Sequence, residues 1–74
     1  MDELVAFIVT HLVEHPEAAR VERVADAKGS TLTISVAPGD VGQVIGRQGR
    51  VIKAIRTLVH HADPRAHHRV QVRA

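Results

Sequence analysis

Apolar positions recur at helical spacing from the start of the chain. Leu4, Val5, Ile8 and Leu12 form one stripe, with Phe7 and Val9 flanking it, and they predict a helix over 2–14. Pro16 ends that helix and pushes His15 toward extended geometry. Over 19–26 the pattern reads as a weaker strand. Val21 and Val24 are out of phase there, which suggests an edge strand or a bulge. Ala27-Lys28-Gly29-Ser30 reads as the turn of a hairpin. Strict alternation follows over 31–37, with Leu32, Ile34 and Val36 on one face and Thr31, Thr33 and Ser35 on the other. Pro38-Gly39 breaks the strand. Asp40 suits an N-cap, and Gln43 three residues on resembles a capping box, so a short helix is expected over 41–45. A second, basic helix is expected over 50–61. Its buried stripe would be Val51, Ile52, Ile55, Leu58 and Val59, with Arg50, Lys53 and Thr57 on the other side. Asp63-Pro64 stops it. A last strand over 67–73 places Val70 and Val72 opposite Arg69, Gln71 and Arg73.

The order helix, strand, strand, helix, helix, strand predicts an α+β fold. Its three-stranded mixed sheet would carry three helices packed on one face. Strands 31–37 and 67–73 are joined by a two-helix crossover, so they should pair in parallel. The 74 residues fit one domain spanning 1–74. A chain this short buries only ~60% of the surface it exposes when unfolded, so modest stability is expected.

Composition narrows the function. Without cysteine, disulfides and thiolate metal sites are excluded, and a reducing cytoplasm is the natural compartment. The longest apolar run, Leu4 to Val9, falls well short of the ~20 residues a membrane helix needs. Asp2 and Glu3 stand where a signal peptide would carry positive charge. Charge is unevenly distributed. Residues 1–40 carry a net −4, whereas 41–74 carry a net +6 from Arg47, Arg50, Lys53, Arg56, Arg65, Arg69 and Arg73 against Asp63 alone. A basic half of this kind suits a polyanionic partner. Phe7 is the only aromatic residue, so recognition built on base stacking loses most of its mechanism.

The basic half begins at Val44-Ile45-Gly46-Arg47-Gln48-Gly49-Arg50-Val51-Ile52-Lys53-Ala54-Ile55. A tight Gly-x-x-Gly turn between two helices lets a nucleic-acid backbone approach the protein backbone, because neither glycine carries a Cβ. Arg47 and Gln48 would be the exposed middle pair. Arg47 can reach a phosphate or stack on a base, and Gln48 can donate and accept hydrogen bonds. Arg50 and Lys53 open the next helix, where the dipole also favours anions. Gly39-Asp40-Val41-Gly42 fits the same Gly-x-x-Gly expression but lacks the apolar lead-in, the basic middle and the helix after it. Ile34, Val36, Val41, Val44 and Ile45 are either core residues or the floor of a groove for bases. Val41 and Val44 are expected to be partly exposed. Arg65, in the loop after the second helix, is a candidate for the opposite wall.

This motif resembles the signature of the K-homology (KH) domain, and the element order is similar to the type II, prokaryotic-style KH topology over the whole chain. The phrases Leu12-Val13-Glu14-His15-Pro16-Glu17 and Ala37-Pro38-Gly39-Asp40-Val41-Gly42 resemble the small bacterial KhpA family of stand-alone KH proteins. The resemblance implies single-stranded RNA binding, with the backbone at Gly46–Gly49 meeting the phosphates. Single-stranded DNA stays open as a second ligand. It also implies a homodimer or a heterodimer with a Jag-like KhpB protein, and a role in post-transcriptional control or as an RNA chaperone.

Two other readings compete. One is a protein-interaction KH module that dimerises, with RNA contact secondary. The other is a metal hydrolase, because His11-Leu12-Val13-Glu14-His15 fits H-x-x-E-H. Pro16, however, ends the helix at its second histidine. His60-His61 and His67-His68 are poor chelates, since adjacent residues point apart. Ser30 and Ser35 lack any nucleophile motif, and no Walker or G-x-G-x-x-G sequence calls for a cofactor. An RNA-binding protein, not an enzyme, is the expectation.

Overall fold

The computed structural model describes residues 1–74. Helix α1 covers Asp2–Leu12, strand β1 Arg20–Asp26, strand β2 Gly29–Ser35, helix α2 Val41–Ile45, helix α3 Arg50–Ala62 and strand β3 His67–Arg73. Single 3-10 turns at Pro16–Ala18, Pro38–Asp40 and Arg47–Gly49 join them. The sheet order is β1-β2-β3, with β1 antiparallel and β3 parallel to β2. The expected α-β-β-α-α-β order and mixed three-stranded sheet are therefore present. Val5, Val9 and Val13 meet Leu32, Ile34, Val36 and Val70 from the sheet and Val44, Ile52, Ile55 and Val59 from α2 and α3 in one buried cluster. All three helices lie on that side of the sheet.

Several local expectations are corrected. The stripe that α1 buries is Val5 and Val9, while Leu4 and Leu12 stay exposed. The helix is apolar around most of its circumference, so periodicity alone does not choose the inward face. On α3, Ile52, Ile55 and Val59 are buried, Val51 is half-buried and Leu58 sits exposed at the margin. The hairpin loop is only Ala27-Lys28, closed by the Lys28 N–H donating to Asp26 Oδ1 at 2.8 Å. Gly29 and Ser30 already belong to β2, which consequently runs 29–35 instead of 31–37. Gly29 (φ +148°) lies so close to β3 that a Cβ would collide with the His67 carbonyl. Strand β1 pairs residue for residue with β2, so it is an edge strand without a bulge. Val21 faces the core and Val24 the open side.

Asp40 does not cap α2. Its backbone is helical (φ −98°, ψ −7°), whereas a capping side chain needs β-region geometry. The carboxylate, 1% exposed, turns back to the end of α1. It accepts the Glu14 N–H (3.2 Å), the His15 N–H (3.0 Å) and the His15 Nδ1–H (3.3 Å). This capture also explains why α1 stops at Leu12 and not at 14: the next residues are drawn out to meet Asp40, and Val13 is extended. No helix is long and apolar enough to cross a membrane.

Candidate nucleic-acid interface

Helix α2 ends at Gly46, whose φ of 78° and ψ of 170° no ordinary L-residue adopts comfortably. A Cβ at Gly46 would collide with the Val51 side chain and come within 2.9 Å of the Val51 nitrogen. Gln48 (φ 57°, ψ 25°) and Gly49 (φ 73°, ψ 18°) follow in left-handed geometry. The Gly49 N–H closes the turn on the Gly46 carbonyl at 3.1 Å. A non-glycine residue held left-handed is uncommon and costs roughly 1–2 kcal/mol. Such strain gathers at functional positions, and here it holds Arg47 and Gln48 outward, both exposed.

The turn opens directly into α3, with Arg50 its first residue and Gly49 its N-cap. Arg50 Nη2 donates to Gln48 Oε1 at 3.5 Å. The Lys53 Cε lies 4.0 Å from where a Gly49 Cβ would stand, so this lysine leans back over the loop. Neither Arg47, Arg50 nor Lys53 forms an ion pair. Three cations therefore surround one glycine turn at the positive end of a helix, without a carboxylate to neutralise them. That combination suits a phosphate backbone.

The apolar candidates separate. Val44 is fully buried in the core, which corrects the expectation of partial exposure: on a five-residue helix it is the one position aimed between the sheet and α3. Ile34 and Val36 are core as well. Ile45 stays exposed and Val41 half-buried, so of the apolar candidates only these two reach the surface.

Arg56 was not singled out by sequence reasoning. Its Nη2 and Nε donate to the Val70 carbonyl at 3.1 and 3.4 Å, drawing the flank of α3 against β3. Its one signal in the sequence is the three-residue spacing from Lys53, which puts both on one side of the helix. Arg65 is exposed in the loop between α3 and β3. Asp63 organises that loop. Its carboxylate accepts the His68 Nε2–H at 2.9 Å, while the Ser30 hydroxyl meets His68 Nδ1.

A serine, a histidine and an aspartate are thus connected, although spacing gave no sign of it. The connection is a tie between β2, β3 and the loop. Both Ser30 and the His68 ring are 5% exposed, leaving no room for a substrate. The imidazole also turns Nε2 to the acid and Nδ1 to the serine, the reverse of a hydrolytic triad. The two histidines of His11-x-x-Glu14-His15 point to separate partners: the His11 Nδ1–H donates to the Phe7 carbonyl (2.7 Å) and the His15 ring to Asp40.

The two aspartate ties set an acid limit. For Asp40, burial opposes ionisation. The amides of Glu14 and His15 and the His15 ring outweigh it and hold the carboxyl below its ordinary 3.8. For Asp63, the His68 hydrogen bond comes first. It exceeds the opposing desolvation and, with the N–H groups of Arg65 and Ala66, also lowers the value from 3.8. Folded values below the unfolded one mean that this stabilisation is fully present above about pH 4 and is lost as pH falls through the lowered values. The melting temperature of the native chain is expected to fall on acidification below about pH 4. Asp40→Asn and Asp63→Asn should each melt lower near neutrality and show a flatter acid limb. Parallel limbs in native and variant chains would contradict the assignment.

A family model described as "KhpA/KhpB, KH domain" matches residues 2–74. The RNA-binding protein KhpA of Bacillus subtilis (strain 168) is 44% identical over 71 residues, covering 96% of this chain and 88% of that protein. The RNA-binding protein KhpA of Clostridium perfringens (strain 13 / Type A) is 43% identical over 72 residues, 97% of this chain and 96% of the relative. That of Chlamydia pneumoniae is 40% identical over 72 residues, 97% and 92% of the two chains. No solved structure gives a significant match.

Proposed function

Because the chain belongs to the KhpA/KhpB family of KH domains, whose members include proteins named for RNA binding, we propose that it holds single-stranded RNA in the Gly46–Gly49 turn. The observation that carries the reading is the unpaired cluster of Arg47, Arg50 and Lys53 around a turn whose glycine backbone is open to a strand. Gly46 and Gly49 admit the phosphates. Arg47 and Gln48 grip them, and Arg50 and Lys53 add charge at the helix start. Ile45 and Val41 meet a base, and Arg65 lies toward the other wall. In this reading the protein acts after transcription, in the cytoplasm, as a regulator or chaperone of RNA. A KH clamp holds about four nucleotides, so pairing with a second KH chain, its own copy or a KhpB-like protein, raises avidity where both turns engage one RNA. Fluorescence anisotropy with short single-stranded RNA across a salt series tests it. Binding should weaken with a log–log slope of about −0.7 for each phosphate neutralised. A single-stranded DNA of the same sequence tells whether the sugar matters.

One observation favours the protein-interaction reading as a second role. Phe7, the only aromatic residue, is 62% exposed. Its ring packs against His11, tilted by 36°, at a centroid distance of 4.2 Å. Leu4 and Phe7 are both exposed on α1, and Ile8 beside them is half-buried at the margin of the core. A second KH chain covering this surface would bury Phe7. In sedimentation the native chain is then expected as a dimer and Phe7→Glu as a folded monomer. A native chain that stays monomeric at high concentration would remove α1 as the pairing surface.

A further inference from the structure

The sheet has helices on one face only. The register aligns three rows across the other: Arg20, Ser35 and Arg73; Glu22, Thr33 and Gln71; Val24, Thr31 and Arg69. Arg69, Gln71 and Arg73 are exposed, and the hydroxyls of Thr31, Thr33 and Ser35 are half-buried between the outer strands. Gln71 Nε2 donates to Thr33 Oγ1 at 3.0 Å, which ties its amide to β2. Arg69 and Arg73 make no ion pair. The acids of this face, Glu22 and Asp26, sit on β1, at the opposite edge from β3. Arg20, also on β1, spends Nη1 on the Glu17 and Ala19 carbonyls and keeps its charge. Val24 is the one large apolar side chain on the face, so it is poorly suited to a protein partner.

We propose that the outer face of β3 is a second track for the same RNA, with Arg69 and Arg73 binding phosphates and the Thr31, Thr33 and Ser35 row lining the path. Two observations select RNA. The charge is positive and unpaired, and the strand that carries it is continuous with the candidate interface. Strand β3 is the edge strand that Arg56 ties to the flank of α3 beside Lys53. A strand leaving the glycine turn across β3 reaches the outer face by passing over that edge. Arg69 and Arg73 stand four residues apart, about 13 Å along a strand, a spacing that meets separate phosphates. The inference rests on RNA binding at the glycine turn and extends its footprint beyond the roughly four nucleotides such a turn holds.

The test compares the native chain with Arg69→Glu/Arg73→Glu and Arg47→Asp/Gln48→Asp. The probes are oligouridylates of about five and about fifteen nucleotides, one near the footprint of a single clamp and one well beyond it. The Arg69/Arg73 variant is expected to bind the long RNA at least about ten-fold more weakly, to bind the short one within about two-fold of native, and to lose about 1.4 from the long-RNA salt slope, 0.7 per phosphate contact. Arg69→Lys/Arg73→Lys should restore long-RNA binding, and Arg69→Gln/Arg73→Gln serves where charge reversal disturbs folding. Equal losses on both lengths, or none on either, would overturn the second track. If the native chain binds both RNAs and only the Arg47/Gln48 variant fails, the track falls and the clamp stands. If the native chain binds neither, both fall.

Discussion

Replacing Arg47 and Gln48 together by aspartate is expected to abolish RNA binding and leave the fold intact. Both side chains are exposed and pack against nothing in the core, so their loss removes no buried area. The exchange turns one positive side chain into two negative ones inside a ring that Arg50 and Lys53 complete. A charge-assisted hydrogen bond is worth about 1.5–3 kcal/mol, and reversing the sign adds repulsion, so affinity should fall by roughly two orders of magnitude or more. Aspartate also tolerates the left-handed geometry at position 48 as well as most residues do, which keeps the turn available. Circular dichroism and the melting temperature should match the native chain within a few degrees. Anisotropy should show no saturation at concentrations where the native chain is bound. Equal binding by native and variant chains would refute the clamp, and the exposed side of α1 would then lead as the functional surface.

Much of the fold was legible because its signals are local and mutually consistent. The strict alternation of Leu32, Ile34 and Val36, the break at Pro38-Gly39 and the crossover length together admit one topology. The glycine turn was legible for the same reason, since its apolar lead-in, basic middle and following helix all lie within twelve consecutive residues. What stayed hidden depends on partners distant in sequence. Asp40 looks like a helix cap until Glu14 and His15, 26 and 25 residues before it, are seen to offer their amides. Ser30 and His68 are 38 residues apart, and nothing in either segment announces the other. Arg56 is one more basic residue until the Val70 carbonyl appears beside it. In α1 the hydrophobic pattern is too generous: with apolar residues on nearly every side, the inward face is settled by which valines fit against the sheet. Val44 was misplaced for a related reason. A five-residue helix has too few positions for its periodicity to tell core from groove.

Gly46→Ala is expected to destabilise the fold strongly, and Gly49→Ala to spare the fold while weakening RNA binding. The two glycines share a motif but not a reason. At Gly46 a methyl group meets the Val51 side chain and backbone nitrogen, and the residue would also sit at a φ of 78°. Overpacking and backbone strain each cost about 1–3 kcal/mol, so the loss should be roughly 2–6 kcal/mol. A chain of 74 residues has a stability of roughly 4–11 kcal/mol in all. At about 4–8 °C per kcal/mol for a domain of this size, the melting temperature should fall by at least about 8 °C. At Gly49 the added methyl finds Ile52 Cγ2 at 3.9 Å and Lys53 Cε at 4.0 Å, both ordinary contacts. Only left-handed strain remains, about 1–2 kcal/mol, and in the proposed clamp the methyl would stand where the RNA backbone approaches. Thermal melts and anisotropy on the two variants should therefore disagree in rank: Gly46→Ala the less stable, Gly49→Ala folded but weak for RNA. If Gly49→Ala binds RNA like the native chain, the strand does not approach the backbone there, and Arg47 and Gln48 act through their side chains alone.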